Sequence, residues 1–348
     1  MTPKESFLAR LRMEDTAHIP VFPRDLTLGL GASGLTYDEY LDGITAERSA
    51  KCVLELQRIC GYDATVGYIR TTRCSPFGGK ISRSINGMPQ LSEAPFKDIG
   101  NMDRHYPEEA FCDIERISCE SSRIVAKERP DLALVCNVCT PLLTATILRG
   151  MESFVMDMML NPDILDRLMD FGTNVAKVVL ENSIIEETDC IFLAAANDNP
   201  DLIGDEPFER LSLPGVKRMA DIAHEHGIPA IFHPHGVFSS AERLPLLRRA
   251  IESTGIAGFQ FSENNDPKGI LSQTEGKCAI LGGVDAFTTL MMGSEKRIIE
   301  ETDAFLDALE GHSYIPMCSC SVHLGMPIDS IRIMTEAVHS YRKRHGWT

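Results

Sequence analysis

Two histidines and two cysteines occupy alternate positions at the ends of two short apolar runs. His233 and His235 stand in Phe232-His233-Pro234-His235-Gly236, and Cys318 and Cys320 stand in Met317-Cys318-Ser319-Cys320. Residues two apart in an extended strand point to the same side, so each pair can present two side chains to one point. Two imidazoles and a thiolate, with a further position open for water or substrate, form the ligand set of a catalytic zinc site.

Either pattern alone has an ordinary structural explanation. A buried histidine is commonly a hydrogen-bonded core residue, and a cysteine in a strand is commonly a small hydrophobic residue. The occurrence of both pairs at strand ends favours zinc ligands, with Cys320 preferred because it lies nearer the following loop and Cys318 as the alternative. A disulfide between these cysteines is disfavoured, because neighbours on one face of a strand lie about 6.5 to 7 Å apart.

Three carboxylates close to other strand ends are candidate catalytic groups. Glu263 ends Phe261-Ser262-Glu263, Asp285 ends Gly282-Gly283-Val284-Asp285, and Asp198 lies in Asn197-Asp198-Asn199-Pro200. Each can serve as a fourth ligand, orient an imidazole or act as a general acid or base. A helix cap, an ion pair or a turn would explain the same residues without catalysis.

Eight short apolar runs alternate with longer amphipathic stretches along the whole chain. This alternation predicts repeated βα units, and hence an α/β fold in which a (β/α)8 TIM barrel closes around the strands. Catalytic groups of such barrels lie where strands end, which is where the residues above occur. The eight runs are Ile19 to Asp25, Asp63 to Arg70, Asp131 to Thr140, Cys190 to Asp198, Pro229 to Gly236, Gly255 to Glu263, Cys278 to Asp285 and Ser313 to Cys320.

The interval between the second and third runs is longer than one helix requires. Gly78 to Gly87 is predicted to form an inserted hairpin with a turn at Asn86-Gly87, placed at the rim of the barrel mouth. No linker rich in proline, glycine or serine divides the chain, so residues 1–348 are predicted to form one domain.

Composition narrows the classes of partner. The chain has 348 residues and a formal net charge of -16, which argues against nucleic acids and anionic membranes as partners. No apolar stretch reaches the roughly 18 residues of a membrane span, and Met1 to Glu5 lacks the apolar core of a signal peptide. Eleven cysteines, an odd number in a long chain, are expected to be reduced. A cytoplasmic location is expected.

The order of these features resembles the uroporphyrinogen decarboxylase superfamily, and within it the zinc-dependent corrinoid methyltransferases of the methylcobamide:coenzyme M type. The resemblance extends over nearly the whole chain. It rests on Met1 to Ala9 followed by Ile19-Pro20-Val21, on Pro141 to Phe154, on Asp198 to Pro214, on His233 to Gly236, on Gly282 to Asp285, and on Cys320 followed by Pro327 to Ile331.

The resemblance assigns the zinc ligands by position. In these methyltransferases a His-x-Cys pair after the fifth strand and a later cysteine hold zinc; His233 matches the histidine, His235 the first cysteine and Cys320 the second. Two imidazoles and one thiolate leave zinc less electron-rich than two thiolates and one imidazole. A methoxy compound, a methylamine or methanol as methyl donor therefore becomes comparable with a thiol acceptor such as coenzyme M.

The resemblance thus implies a zinc-dependent methyltransferase that moves a methyl group between a small substrate and a corrinoid, carried by a partner protein that caps the mouth. Two alternatives stay open: a metal-free uroporphyrinogen decarboxylase-type enzyme, and a non-catalytic module that binds a tetrapyrrole or corrinoid. The decarboxylase fits less well, because its arginine-rich N-terminal signature is replaced by Arg24-Asp25 alone. The substrate, the direction of transfer and the oligomeric state, a homodimer included, are left open. Substrate contacts are expected near Tyr68, Arg70, Arg73 and Asn137.

Overall fold

The computed structural model describes residues 1–71, 75–83 and 89–346, and its main sheet is curled and entirely parallel. Seven strands form this sheet in the order β1-β4-β5-β6-β7-β8-β9, and β2 and β3 form a separate antiparallel pair. The strands are β1 (Ala64–Val66), β2 (Lys80–Arg83), β3 (Pro89–Glu93), β4 (Ala133–Cys139), β5 (Cys190–Ala195), β6 (Ala230–Pro234), β7 (Gly258–Gln260), β8 (Ala279–Val284) and β9 (Tyr314–Cys318).

Helices occupy the connections between the parallel strands, precede the first of them and follow the last. Within the described residues they are α1 (Pro3–Leu11), α2 (Leu28–Ala32), α3 (Tyr37–Leu41), α4 (Ala46–Cys60), α5 (Asp113–Glu128), α6 (Pro141–Arg149), α7 (Met151–Leu160), α8 (Pro162–Ser183), α9 (Pro200–Ile203), α10 (Asp205–Pro207), α11 (Leu213–Glu225), α12 (Leu244–Thr254), α13 (Pro267–Thr274), α14 (Glu295–Leu309) and α15 (Ile328–Arg344). Short 3-10 helices span Ser75–Phe77, Ile99–Arg104 and Pro107–Ala110, and π-helical turns span Phe208–Ser212 and Ala286–Leu290. None of these helices is long and apolar enough to cross a membrane.

The two faces of the curled sheet are buried in different ways. Alternate residues of β5 illustrate this: Cys190 and Phe192 belong to one buried cluster, whereas Ile191 and Leu193 belong to another. The first cluster takes alternate residues from most strands of the main sheet, which is how side chains fill a barrel interior. The second joins the outer face of the strands to the surrounding helices. Burial on both faces explains why the strands are continuous apolar runs.

The predicted first strand, Ile19 to Asp25, is wrong as a strand. The structure shows an irregular extended segment with a single bridge from Asp25 to Val322. Pro20 and Pro23 lack the N–H groups that a ladder needs, and Arg24 has a φ of 49°, outside the β region. The segment nevertheless lies between β1 and β9, because Val21 O accepts from Asp63 N and Ala64 N and Phe22 N donates to Pro316 O. The barrel-like α/β fold is therefore confirmed with seven strands in the main sheet.

The inserted hairpin is confirmed. β2 pairs with β3 in antiparallel register between β1 and β4, the observed counterparts of the second and third predicted strands. The predicted turn at Asn86-Gly87 lies outside the described residues. Leu91 of β3 reaches the wall of the pocket that contains His233 and Cys320, so the hairpin does lie at the mouth.

Candidate metal centre

His233, His235 and Cys320 converge at one point, at the carboxyl end of the sheet. Nε2 of His233 lies 3.2 Å from Nε2 of His235, and Sγ of Cys320 lies 3.9 Å from Nε2 of His235. One ligand atom from each residue lies within 4.8 Å of the other two. His233 is in β6, His235 follows its last residue, and Cys320 follows β9 by two residues. β7 and β8 separate β6 from β9 in the sheet, and its curvature brings together side chains that are distant in sequence.

These separations fit a zinc ion. Zinc bonds of about 2.0 Å to nitrogen and 2.3 Å to sulfur place tetrahedral ligands about 3.3 Å apart for two nitrogens and about 3.5 Å apart for nitrogen and sulfur. The observed 3.2 and 3.9 Å differ from these values by a few tenths of an ångström. Three protein ligands leave one position for a water or substrate atom, as in catalytic sites.

The electrostatics favour the protonation states that bind metal. Burial raises the pKa of Cys320, but its hydrogen bond with His235 and the positive charge of Arg24 outweigh burial and lower that pKa to about 7. Burial lowers the pKa of His233 well below its usual value, and the charges of Arg24 and His235 lower it further. A neutral imidazole and a thiolate, the forms that coordinate zinc, are thus present at neutral pH.

Cys318 does not reach this cluster. The alternation expected for Cys318 and Cys320 is interrupted because β9 ends at Cys318 and the chain turns at Ser319. Cys318 is fully buried, and its thiol donates to the carbonyl oxygens of Pro23 and Cys320. Burial and the negative charge of Cys320 raise its pKa. Of the two cysteines, the structure brings only Cys320 to the histidines.

The three carboxylates have different surroundings. Asp198 is fully buried, accepts hydrogen bonds from Thr140 Oγ1 at 2.9 Å and Ser212 Oγ at 2.7 Å, and interacts electrostatically with His235. Burial raises its pKa to about 7 despite these hydrogen bonds. Asp285 caps the Ala286–Leu290 turn, and Glu263 is exposed. None of the three lines the pocket, and Asp198 is the one with an electrostatic interaction with a candidate ligand, His235.

A pocket of about 300 Å³ opens onto the three candidate ligands. Arg24, Arg70 and His323 line it together with small and apolar side chains. Arg24 is buried, stacks 4.4 Å from the centre of the Phe192 ring and donates from Nε to Asn137 Oδ1 at 3.1 Å. Burial lowers the pKa of Arg24 to about 10, a value at which it stays charged at neutral pH. The pocket therefore has a positively charged wall.

The expected substrate contacts are partly found in this pocket. Arg70 lines it. Asn137 supports Arg24, and Tyr68 OH donates to the Asn137 carbonyl at 2.8 Å. Arg73 lies outside the described residues. His323 was not predicted. It lies three residues after Cys320 on the same loop, and a search for polar residues that follow strand ends, the criterion that selected Cys320, would have found it.

The fold and the pocket define an α/β protein of the TIM-barrel type. The model of the family described as uroporphyrinogen decarboxylase (URO-D) matches residues 2–341, and this chain belongs to that family. Two curated relatives, both named methylcobamide:CoM methyltransferase MtbA, are 23% identical over 361 residues in Methanosarcina mazei and 22% identical over 351 residues in Methanosarcina acetivorans. Each comparison covers 98% of this chain and 98% of the relative.

A solved structure confirms the fold. A methyltransferase from Methanosarcina mazei superimposes with a TM-score of 0.84 at 19% identity, covering 98% of this chain and 99% of that one. The resemblance predicted from sequence is thereby confirmed, and the match over whole chains to proteins named as methyltransferases supports an enzymatic function. The assignment of His233, His235 and Cys320 as metal ligands stays a prediction.

Proposed function

We propose that this chain is a zinc-dependent methyltransferase that moves a methyl group between a small substrate and a corrinoid held by a partner protein. The observation that carries the proposal is the convergence of His233, His235 and Cys320 on one point of an open pocket. The names of relatives about 23% identical over the whole chain support the same activity. The metal-free decarboxylase alternative assigns no role to these three side chains.

When bound, zinc would supply a Lewis acid that lowers the pKa of a substrate thiol or polarises the leaving oxygen or nitrogen of a methyl donor. His233, His235 and Cys320 would hold the ion. The negative charge of Asp198, which interacts electrostatically with His235, would stabilise the positive charge of an ion bound there. We assign Asp285 and Glu263 lesser roles in catalysis, because Asp285 caps a helical turn and Glu263 is exposed.

The charge of the pocket wall bears on the substrate class. Arg24 and Arg70 face the cavity beside Cys320, and a zinc ion would add further positive charge. Such a field stabilises an anion, such as the thiolate of an acceptor, and disfavours a protonated methylamine. A thiol acceptor or a neutral methoxy donor is therefore favoured over a cationic amine.

Exposed apolar side chains support docking of a corrinoid protein at the mouth. Ten large hydrophobic residues are exposed among those described. Eight of them lie in segments of the chain that follow a strand of the main sheet and precede the next long helix. Apolar surface of this kind is common at protein interaction sites. The eight are Ile81, Tyr106, Met156, Met159, Leu160, Leu202, Phe287 and Met292.

The proposal is tested by elemental analysis of purified wild-type protein and of the variants Cys320→Ala and His235→Ala. We expect each variant to contain about one equivalent of zinc less than wild type and to lose methyl transfer to or from a free corrinoid. Cys112→Ala and His226→Ala are matched controls, because Cys112 is also partly buried and His226 lies at the exposed end of α11.

Two outcomes would contradict the proposal. A folded wild type that neither contains nor takes up zinc at Cys320 would favour the metal-free decarboxylase type. Zinc binding and corrinoid binding without consumption of any methyl donor or acceptor would favour a binding module.

A further inference from the structure

A second group of metal-binding side chains lies outside the pocket. Nε2 of His18 is 2.7 Å from Oδ1 of Asp63, and Nε2 of His339 is 2.8 Å from Oδ2 of the same carboxylate. The two imidazole rings are 4.7 Å apart between centroids. One ligand atom from each of the three residues lies within 4.8 Å of the others.

This group lies at the opposite end of the barrel from the candidate zinc centre. Asp63 immediately precedes β1, whereas His235 and Cys320 follow the carboxyl ends of their strands. In a parallel sheet, residues that precede strands and residues that follow them lie at opposite edges. The two groups can therefore be altered independently.

We propose that His18, Asp63 and His339 form a second binding site for a divalent transition metal, with zinc as the expected ion. Two imidazole nitrogens and a carboxylate match the ligand preference of such ions. His18 and His339 contact different oxygens of Asp63, at 2.7 and 2.8 Å. Bonds of about 2.0 Å to one ion require each nitrogen–oxygen pair to separate by about half an ångström and both imidazoles to turn toward a common point.

The two histidines of this group are accessible to solvent, so an ion can reach them. The side chains of His18 and His339 are 36% and 29% exposed, while Asp63 is 3% exposed. The ion would thus bind to a buried carboxylate held by Val21 N at 2.8 Å and keep open positions for water. Each imidazole now faces the carboxylate through Nε2, so metal binding there places the ring proton on Nδ1.

The site would join three parts of the chain that are far apart in sequence. His18 precedes the irregular segment that takes the place of the first strand, Asp63 leads into β1, and His339 is on α15. Arg342 already links α15 to this region by donating to the carbonyl oxygens of Thr16 and Ala17. A bound ion would fasten the last helix to the start of the barrel without contacting the methyl-transfer pocket.

The test uses the full-length protein, freed of metal with a chelator and titrated with zinc or cobalt. Wild type is expected to bind two equivalents, and the double variant His235→Ala/Cys320→Ala one. Adding His339→Ala to that double variant should abolish the remaining equivalent and the increase in unfolding temperature that zinc causes. Cobalt at the second site should show no thiolate-to-cobalt charge-transfer band, because its ligands are nitrogen and oxygen.

Loss of the second site must be separated from loss of folding. His339→Ala alone should retain one equivalent with the thiolate band and its methyl-transfer activity, and His18→Asn should behave in the same way. His226→Ala is the control, because His226 is also an exposed histidine but is not part of either group of metal-binding side chains. The proposal is overturned if the double variant His235→Ala/Cys320→Ala binds no ion at micromolar zinc, or if its ion remains after His339→Ala.

Discussion

Sγ of Cys320 lies 3.9 Å from Nε2 of His235, across 85 positions of the sequence. The contact exists because β6 and β9 belong to one curled sheet whose carboxyl ends face a common pocket. It also sets the chemistry of the thiol, since the imidazole and the nearby Arg24 stabilise the thiolate. The consequences for reactivity and stability can be measured without knowing the substrate.

In metal-free protein, Cys320 is expected to be alkylated by iodoacetamide faster than Cys318. Its pKa of about 7 means that the thiolate fraction rises with pH and reaches one half near pH 7. The raised pKa of Cys318 keeps that thiol protonated. Peptide mass spectrometry after labelling between about pH 5 and 9 measures the alkylation rate of each cysteine against pH, on both sides of the Cys320 pKa of about 7.

His235→Ala removes the hydrogen bond that stabilises the thiolate, so the midpoint for Cys320 should move to higher pH. A wild-type midpoint at the ordinary cysteine value of about 8.5 would contradict this electrostatic account.

Gly236→Ala is expected to destabilise the protein and weaken zinc binding. Gly236 has a φ of 111°, and an added Cβ would lie 2.6 Å from Asn199 Oδ1 and 3.0 Å from Pro200 Cδ. Strain of about 1 to 3 kcal/mol should appear in urea unfolding, and displacement of the neighbouring His235 should reduce zinc content.

Gly227→Ala is the control, because Gly227 also has a positive φ of 72° but no atom lies within 4 Å of its added Cβ. It should lose stability without losing zinc. Equal loss of zinc in both variants would show that backbone strain alone, rather than the contact beside His235, explains the effect.

Asp285→Ala should lower stability and leave zinc in place. Asp285 accepts hydrogen bonds from the backbone N–H groups of Phe287 and Thr288, at 2.8 and 3.1 Å, and loss of such a cap costs about 1 kcal/mol. Asp285→Asn preserves an acceptor and should be milder. Loss of methyl transfer in a folded, zinc-loaded Asp285→Asn variant would instead give this carboxylate the catalytic role.

Arg149→Ala should cost roughly 3 to 5 kcal/mol in the free energy of unfolding, because it leaves the buried carboxylate of Asp157 unpaired. Nε of Arg149 lies 2.6 Å from Asp157 Oδ2, and the two side chains are 11% and 3% exposed. Arg149 also donates to the carbonyl oxygens of Phe96 and Lys97, which ties the end of α6 to the segment after the hairpin.

The exposed pair of Lys217 and Asp221 is a matched control, and Lys217→Ala should change stability by about 0.5 kcal/mol or less. Chemical denaturation monitored by circular dichroism compares the two variants. Similar losses in both would show that burial of the Arg149 pair carries no special cost.

Much of the fold could be predicted because burial leaves a local pattern. Seven of the eight predicted strands are present in the main sheet, since strands covered on both faces must be continuous apolar runs. The inserted hairpin was predicted from the length of one interval. The apolar pattern could not distinguish the predicted first strand from an irregular segment. The segment is apolar and extended, but its prolines and the positive φ of Arg24 prevent a regular ladder.

The sequence by itself determined which residue types stand at the strand ends, and therefore that His233, His235 and Cys320 were candidates for one site. Only the tertiary structure decided that Cys320 and not Cys318 meets the histidines, because the strand ends at Cys318 and the chain turns. It also decided that Arg24 and His323 line the pocket while Asp285 caps a helical turn. Strand alternation is a local property that sequence displays, whereas closeness across 85 positions depends on the curvature of the whole sheet.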